Sequence, residues 1–262
     1  MTRSRMAACI YTVGPGLIAL GVWEWAASRN PATAFLFGQP SVVIRVLSSR
    51  VVSGVLVSDL LATLTPVLLG FLAGNIVGIA AGLLLWRLPQ LGNALRPYLI
   101  AFGAVPAFVF APVLIVWFGT GLLTKVVLVF LSTVLISTFQ AHSGALEVEA
   151  GYFSLFRSFG ASASGVFRHL ILPSAAAWVL AGVRLNIGFA LLGAFIGEFV
   201  SSERGLAHRA LLDAGLYNLS AVWASAVVIS MIAVILYALS ARLERLALPW
   251  KQREPGRSNG YI

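Results

Sequence analysis

The chain has 262 residues, 59% of them hydrophobic and 10% charged, with a mean hydropathy of +0.93. Soluble domains carry about 25% charged residues, so a water-soluble enzyme or binding module is excluded, and no length is left for a soluble catalytic domain beside the membrane part. Basic residues outnumber acidic ones by 18 to 9; in so apolar a chain that excess marks loops held on the cytoplasmic side rather than a nucleic-acid site. The single Cys9 excludes an intrachain disulfide and a cysteine-based metal cluster.

A helix needs roughly 20 mostly apolar residues to cross a hydrocarbon layer about 30 Å thick, which predicts an all-α integral membrane protein of about six spans. The first apolar stretch, residues 7–27, follows Arg3 and Arg5 and is expected as a retained span; a signal peptide cleaved after Ala26-Ala27-Ser28 is the alternative. Residues 31–40 read as a connector, and 41–57, with Arg45, Ser48, Ser49, Arg50 and Ser53, as a helix lying at the interface. The second span, 60–86, carries Gly70, Gly74, Gly78 and Gly82 on one helix face, a smooth ridge for close approach of another helix. That ridge serves static packing or a sliding surface between transport states.

A polar turn is expected at 87–96, then a third span at 98–118 kinked by Pro106 and Pro112. Gly119-Thr120-Gly121 closes a tight loop before a fourth span, 123–140, rich in Ser and Thr. Residues 141–172 form the long polar interruption, and the fifth span, 174–200, follows. A polar loop with Glu203, Arg204, His208, Arg209 and Asp213 leads to the sixth span, 219–240, and a basic tail. The expected domains are residues 1–58, a core of 59–245 containing the 141–172 loop, and a tail of 246–262.

Six spans place both ends on one side. That side holds Arg3, Arg5, Arg87, Arg96, Arg157, Arg168, Arg242, Arg245, Lys251, Arg253 and Arg257, against Arg29, Arg45, Arg50, Lys125, Arg204 and Arg209 on the other. The richer side is cytoplasmic by the positive-inside rule, so the 141–172 loop and both termini are expected there.

Within the membrane, Arg184 near the middle of the fifth span needs a partner or water. It either faces a translocation path and attracts an oxyanion, or pairs with polar groups of neighbouring spans. Asn75 and Asn186 are weaker candidates for the path, and Glu198, near the outer end of the fifth span, reads as solvated or paired at the interface. His142, His169 and His208 lie in loops without metal-ligand spacing.

The long loop reads Ser154-Leu155-Phe156-Arg157-Ser158-Phe159-Gly160-Ala161-Ser162, then Leu170-Ile171-Leu172-Pro173. A short amphipathic helix, a glycine bend, a second short helix and a proline opening the next span would make a rigid elbow outside the membrane. Here the chain resembles the permease subunits of bacterial ABC importers, whose signature is Glu-Ala-Ala, three residues, Gly, nine residues, an aliphatic residue, one residue and Leu-Pro. Gly160, Leu170, Leu172 and Pro173 fall at that spacing, whereas Ser154, Leu155 and Phe156 replace Glu-Ala-Ala. Gln39-Pro40-Ser41, Trp117-Phe118-Gly119, Gly182-Val183-Arg184-Leu185, Arg242-Leu243-Glu244-Arg245 and Leu248-Pro249-Trp250 look like the branch that imports nitrate, taurine and aliphatic sulfonates.

The resemblance implies a MetI-like helical bundle in the bacterial inner membrane. It implies cytoplasmic ABC ATPase subunits that bind the ATP and Mg, a second permease subunit, identical or different, and an extracytoplasmic binding protein. It also implies that the segment containing Arg157, Gly160 and Ala161 couples the ATPase to the spans. The chain itself holds no phosphate loop and no hydrolase motif, so it is expected to be non-catalytic and without a cofactor. An ion-gradient-driven secondary transporter is the competing reading, and mid-membrane acidic residues or inverted repeats would favour it.

Overall fold

The computed structural model describes residues 2–248, with side chains from residue 14 onward. The basic tail beyond Leu248 and the side chains of Arg3 and Arg5 lie outside that description. Every element among the described residues is helical: α1 (Thr2–Ser28), α2 (Pro31–Phe37), α3 (Pro40–Val52), α4 (Val55–Arg87), α5 (Pro89–Ala104), α6 (Ala111–Phe118), α7 (Leu122–Leu146), α8 (Ala150–Ser158), α9 (Ala163–Val166), α10 (Leu172–Ser201), α11 (Leu206–Gly215) and α12 (Leu219–Ala247). A 3₁₀ turn, Ala107–Phe110, precedes α6, and a π-helical turn, Phe167–Ile171, fuses α9 and α10 into one rod, Ala163–Ser201. By length and composition α4, α7, this rod and α12 are each able to cross a bilayer, and α1 covers the first apolar stretch.

Several expected boundaries move, each for a local reason. The third span is broken rather than kinked: the helices on either side of Val105-Pro106 meet at 84°. Pro106 offers no N–H and pushes Val105 into an extended conformation, so α5 stops at Ala104. Pro112 sits in the first turn of α6, where the missing N–H costs nothing. The polar turn expected at 87–96 is mostly helix, because Pro89 starts α5 directly after Leu88. The expected connector contains α2, started by Pro31 and by the Asn30 side chain, which accepts the Ala32 N–H at 2.9 Å. Taken together, α2 and α3 have the length and apolarity of a span bent by 55°. The fourth span runs on to Leu146, so Ala141, Gly144 and Ala145 are buried helix positions rather than loop. All three histidines lie in helical segments rather than loops, His142 in α7, His169 in the π turn and His208 in α11.

The chain divides into two compact units, Met1–Thr63 with Glu203–Ser230, and Leu64–Ser202 with Met231–Ile262. In the first, the Gln39-Pro40-Ser41 segment is tied down on both sides. Glu24 accepts the Ser41 N–H at 3.0 Å and its hydroxyl at 2.8 Å. Ser220 accepts the Gln39 N–H at 3.0 Å, and Trp223 donates to the Phe37 carbonyl at 3.0 Å while meeting Trp23 edge-on at 5.0 Å.

The second unit is built on α7, which two other helices approach through glycines. A Cβ at Gly70 would lie 2.6 Å from the Val126 carbonyl. Cβ atoms at Gly74, Gly78 and Gly82 would run into Thr133, the Val134 carbonyl and the Thr138 carbonyl. The four-residue glycine ridge of α4 is therefore filled by α7 backbone along its length. From α10, Gly193 faces Ser132 and Val129, Gly197 faces Lys125, and Gly182 faces Gln140. The residues between these contacts form apolar clusters, one of Val67, Val129, Ala190 and Ala194, another of Ala145, Ile171 and Ala175.

Gly74→Ala should destabilise the protein by about 1–3 kcal/mol, the usual cost of overpacking. Gly188→Ala, where the space around the Cβ is open, should change stability by less than about 0.5 kcal/mol. Thermal unfolding of the two purified variants in detergent compares them directly.

Candidate functional site

The elbow expected between the fourth and fifth spans is present, and its bend follows from glycine geometry. Gly160 has φ +73°, which side-chain-bearing residues rarely adopt. The Ala161 N–H donates to the Phe156 carbonyl at 3.0 Å and the Gly160 N–H to the Arg157 carbonyl at 2.9 Å. These two bonds make a Schellman cap that ends α8. Ser162 then starts α9, accepting the Gly165 N–H at 3.2 Å.

Pro173 stands in the first turn of α10, as expected, but α10 does not start afresh there: it continues the rod after the π turn in which the Leu172 N–H donates to the Phe167 carbonyl. A proline ring clashes with the carbonyl four residues back and supplies no N–H; the wider turn ahead of it lets the helix continue.

The expected coupling residues fall on two sides of this elbow. Ser154, Leu155, Arg157 and Gly160 are exposed, as is Leu172, whereas Phe156, Ala161 and Leu170 are half-buried. Phe159, at 81% exposure, is the most outward apolar side chain of the bend. Its base is fixed: buried Ile171 joins Ala145 and Ala175, and Leu83, Trp86, Phe153, Val166 and Phe167 pack round them. The Ser174 hydroxyl donates to the Gly144 carbonyl at 3.2 Å, and the Trp178 indole N–H donates to Glu147. The elbow is thus anchored at once to the ends of α4, α7 and α10. Ile171 and the aromatic ring of Trp86, Phe153 and Phe167 escaped sequence reading because they come from separated segments.

Asn75 and Asn186 are brought together. Asn186 donates through Nδ2 toward Asn75 Oδ1 at 3.0 Å, the Thr133 carbonyl at 3.2 Å and Ser137 Oγ at 2.7 Å. Ser137 donates to Asn75 Oδ1 at 2.8 Å, and Asn75 to the Phe71 carbonyl at 2.7 Å. Asn186 and Thr133 have no exposed surface, so the network is closed inside α4, α7 and α10. Arg184 forms an ion pair with Glu244, three residues before the end of α12; the two side chains are 41% and 22% exposed. Glu198 is fully buried, not solvated. Lys125, counted above among loop charges, is buried in the first turn of α7, donating to Ser202 Oγ at 3.2 Å. Gly197 makes the room for its stem.

In the other unit, an acidic residue that sequence reading passed over holds a second polar cluster. Asp59 accepts from Arg209 Nε at 2.9 Å and from the Gly205 N–H at 3.3 Å, and Thr63 Oγ accepts the Leu206 N–H at 2.9 Å. Asp59 and Thr63 therefore cap α11 from α4, since Gly205 has no side chain to do so. The hydrogen bond to Asp59 raises the Arg209 pKa above its ordinary value. Arg50 pairs with Asp213 beside it and donates to Ser225 Oγ at 3.1 Å. A lone Asp at the mouth of an apolar span was the available signal. Asp59→Ala should cost about 3 kcal/mol, because it strands the Arg209 guanidinium and the Gly205 N–H. Denaturant titration beside Asp59→Asn, which retains an acceptor and should lose less, measures it.

Comparison with known proteins agrees with this architecture. Residues 74–248 match the family of binding-protein-dependent transport system inner membrane components. The chain is 26% identical to the formylaminopyrimidine transport permease of Halalkalibacterium halodurans, over 91% of this chain and 94% of that one. It is 31% identical to the riboflavin transport system permease of Chloroflexus aurantiacus, covering 90% and 88%. To the taurine transport system permease of Escherichia coli it is 25% identical, covering 91% and 89%. An inward-facing structure of the MetNI methionine ABC transporter superposes with a TM-score of 0.66 at 18% identity, over 75% of this chain and 97% of the other, and shows the same fold. The chain belongs to the permease family of binding-protein-dependent ABC importers.

Proposed function

We propose that this chain is the membrane-spanning subunit through which an ABC importer passes a small anionic solute, of the sulfonate, taurine or nitrate type. The observation that supports it most is the glycine-capped elbow, whose base is packed into α4, α7 and α10 and whose Leu155 and Phe159 point outward. A separate ATPase docks on that outward face, two permease chains enclose the path, and a binding protein delivers solute from outside. Both termini and the elbow are cytoplasmic, consistent with the loop arginines. Chemistry is left to the ATPase, which holds ATP and Mg.

Likeness to the taurine permease supports the sulfonate class. The formylaminopyrimidine relative, covered over 94% of its length, favours a heterocyclic solute as the second reading. Titrating the purified cognate binding protein with taurine, alkanesulfonates, nitrate and formylaminopyrimidine separates them: the first three are expected to bind, and binding of the pyrimidine alone would reverse the order. Arg184 is not the solute ligand in this reading but the tie between α10 and α12, its charge met by Glu244. Ser154, Leu155 and Phe156, in place of Glu-Ala-Ala, give the ATPase an apolar rather than acidic contact.

Gly160→Val should disfavour the bend by about 1–2 kcal/mol, lowering solute-stimulated ATP hydrolysis and uptake in proteoliposomes holding the whole transporter. Gly160→Asn, which tolerates positive φ, should retain more of both. Equal uptake by Gly160→Val and the parent would contradict the coupling role. Exchanging the charges of Arg184 and Glu244 should restore what either alanine variant loses, with a coupling energy of roughly 0.5–3 kcal/mol in a double-mutant cycle.

A further inference from the structure

Between the end of α4 and the elbow lies a cavity of about 410 Å³, within the size range of ligand pockets. Trp86, Arg87 and Pro89 line one side, and Phe153, Arg157 and Val166 the other. Its walls are ordered by packing: Trp86, Phe153 and Val166 belong to the cluster around Ile171, and the Trp86 ring lies 6.0 Å from that of Phe167. Arg87 and Arg157 face this space from separate elements, and neither has an acidic partner among the described residues. No acidic side chain lines the cavity. The α5 helix also opens at Pro89 without a side-chain cap, so its positive end adds to the same field. Two positive side chains thus line one cavity that carries no negative charge, which favours an anion there.

Depth identifies the anion. Arg87 is the last residue of the apolar span α4 and follows a tryptophan, a pairing that sits at the level of lipid headgroups. The guanidinium forks match phosphate oxygens, and the Trp86, Phe153 and Val166 walls match the first carbons below them. Basic pockets between helices on the cytoplasmic side are suited to anionic headgroups. We propose that this cavity binds the phosphate of an anionic phospholipid, with Arg87 and Arg157 as its ligands. Bound there, the lipid is a wedge between the corner of α4 and the elbow, and it holds the elbow at a fixed depth.

The test uses the full-length chain, purified in detergent and stripped of lipid, then titrated in native mass spectrometry with phosphatidylglycerol, phosphatidylcholine or inorganic phosphate. One phosphatidylglycerol per chain is expected to bind in preference to the other two. Arg87→Ala and Arg157→Ala should each weaken it by roughly fivefold and the double variant by roughly thirtyfold. Arg96→Ala, on α5 but outside the cavity, should leave it unchanged. Melting temperatures of the variants confirm that they are folded; both arginines are exposed. Equal phosphatidylglycerol binding by the double variant, equal affinity for phosphatidylcholine, or equal competition by free phosphate would each overturn the proposal. The titration needs neither solute nor nucleotide, so its outcome is separate from that of the transport assay.

Discussion

Everything else in the second unit depends on how closely α4 and α10 approach α7. Glycines at four-residue spacing on α4, and Gly182, Gly193 and Gly197 on α10, remove the side chains that would hold the backbones apart. Apolar association has little driving force inside lipid, so such contacts rely on dispersion and on polar groups meeting across the interface. Asn75, Ser137, Asn186 and the Thr133 carbonyl supply the latter from three helices at once. Separating any one of those helices would strand buried amide groups, which makes the three a single block.

The elbow is an extension of this block. Its bend is set by a backbone conformation at Gly160, and its base by Ile171 and the aromatic side chains around it. In the proposed coupling role, the continuous helix from Ala163 to Ser201 would pass a push on α8 to one rod that lies against α7 through Gly182, Gly193 and Gly197. An importer subunit needs such a part, because the energy source is outside the membrane and the path is within it.

Much of this was legible in the residues, because the features concerned are local. The glycine ridge, the Gly160 bend and the six apolar stretches each follow from spacing within a few turns of helix. What could not be read depends on chain segments far apart. The partners of Arg184 and Asp59 are sixty and 150 residues away, and the burial of Lys125 depends on Gly197 facing it. The break at Val105-Pro106 shows a subtler limit. Proline announces a disturbance, but whether a helix kinks or ends depends on what satisfies the freed carbonyls. Pro173 is the opposite case, absorbed into a long helix by a π turn.

The claim that α4, α7 and α10 move as one body with the elbow is tested most directly by spin-label distances in the assembled transporter. Labels at Ser154 on α8 and Leu123 on α7 report within a chain, and the Ser154 labels of the two chains report between them. On adding nucleotide the distance between chains should change by several ångströms while the distance within the chain stays constant. A within-chain distance that changes while the two elbows remain fixed would contradict a rigid block and with it the coupling route.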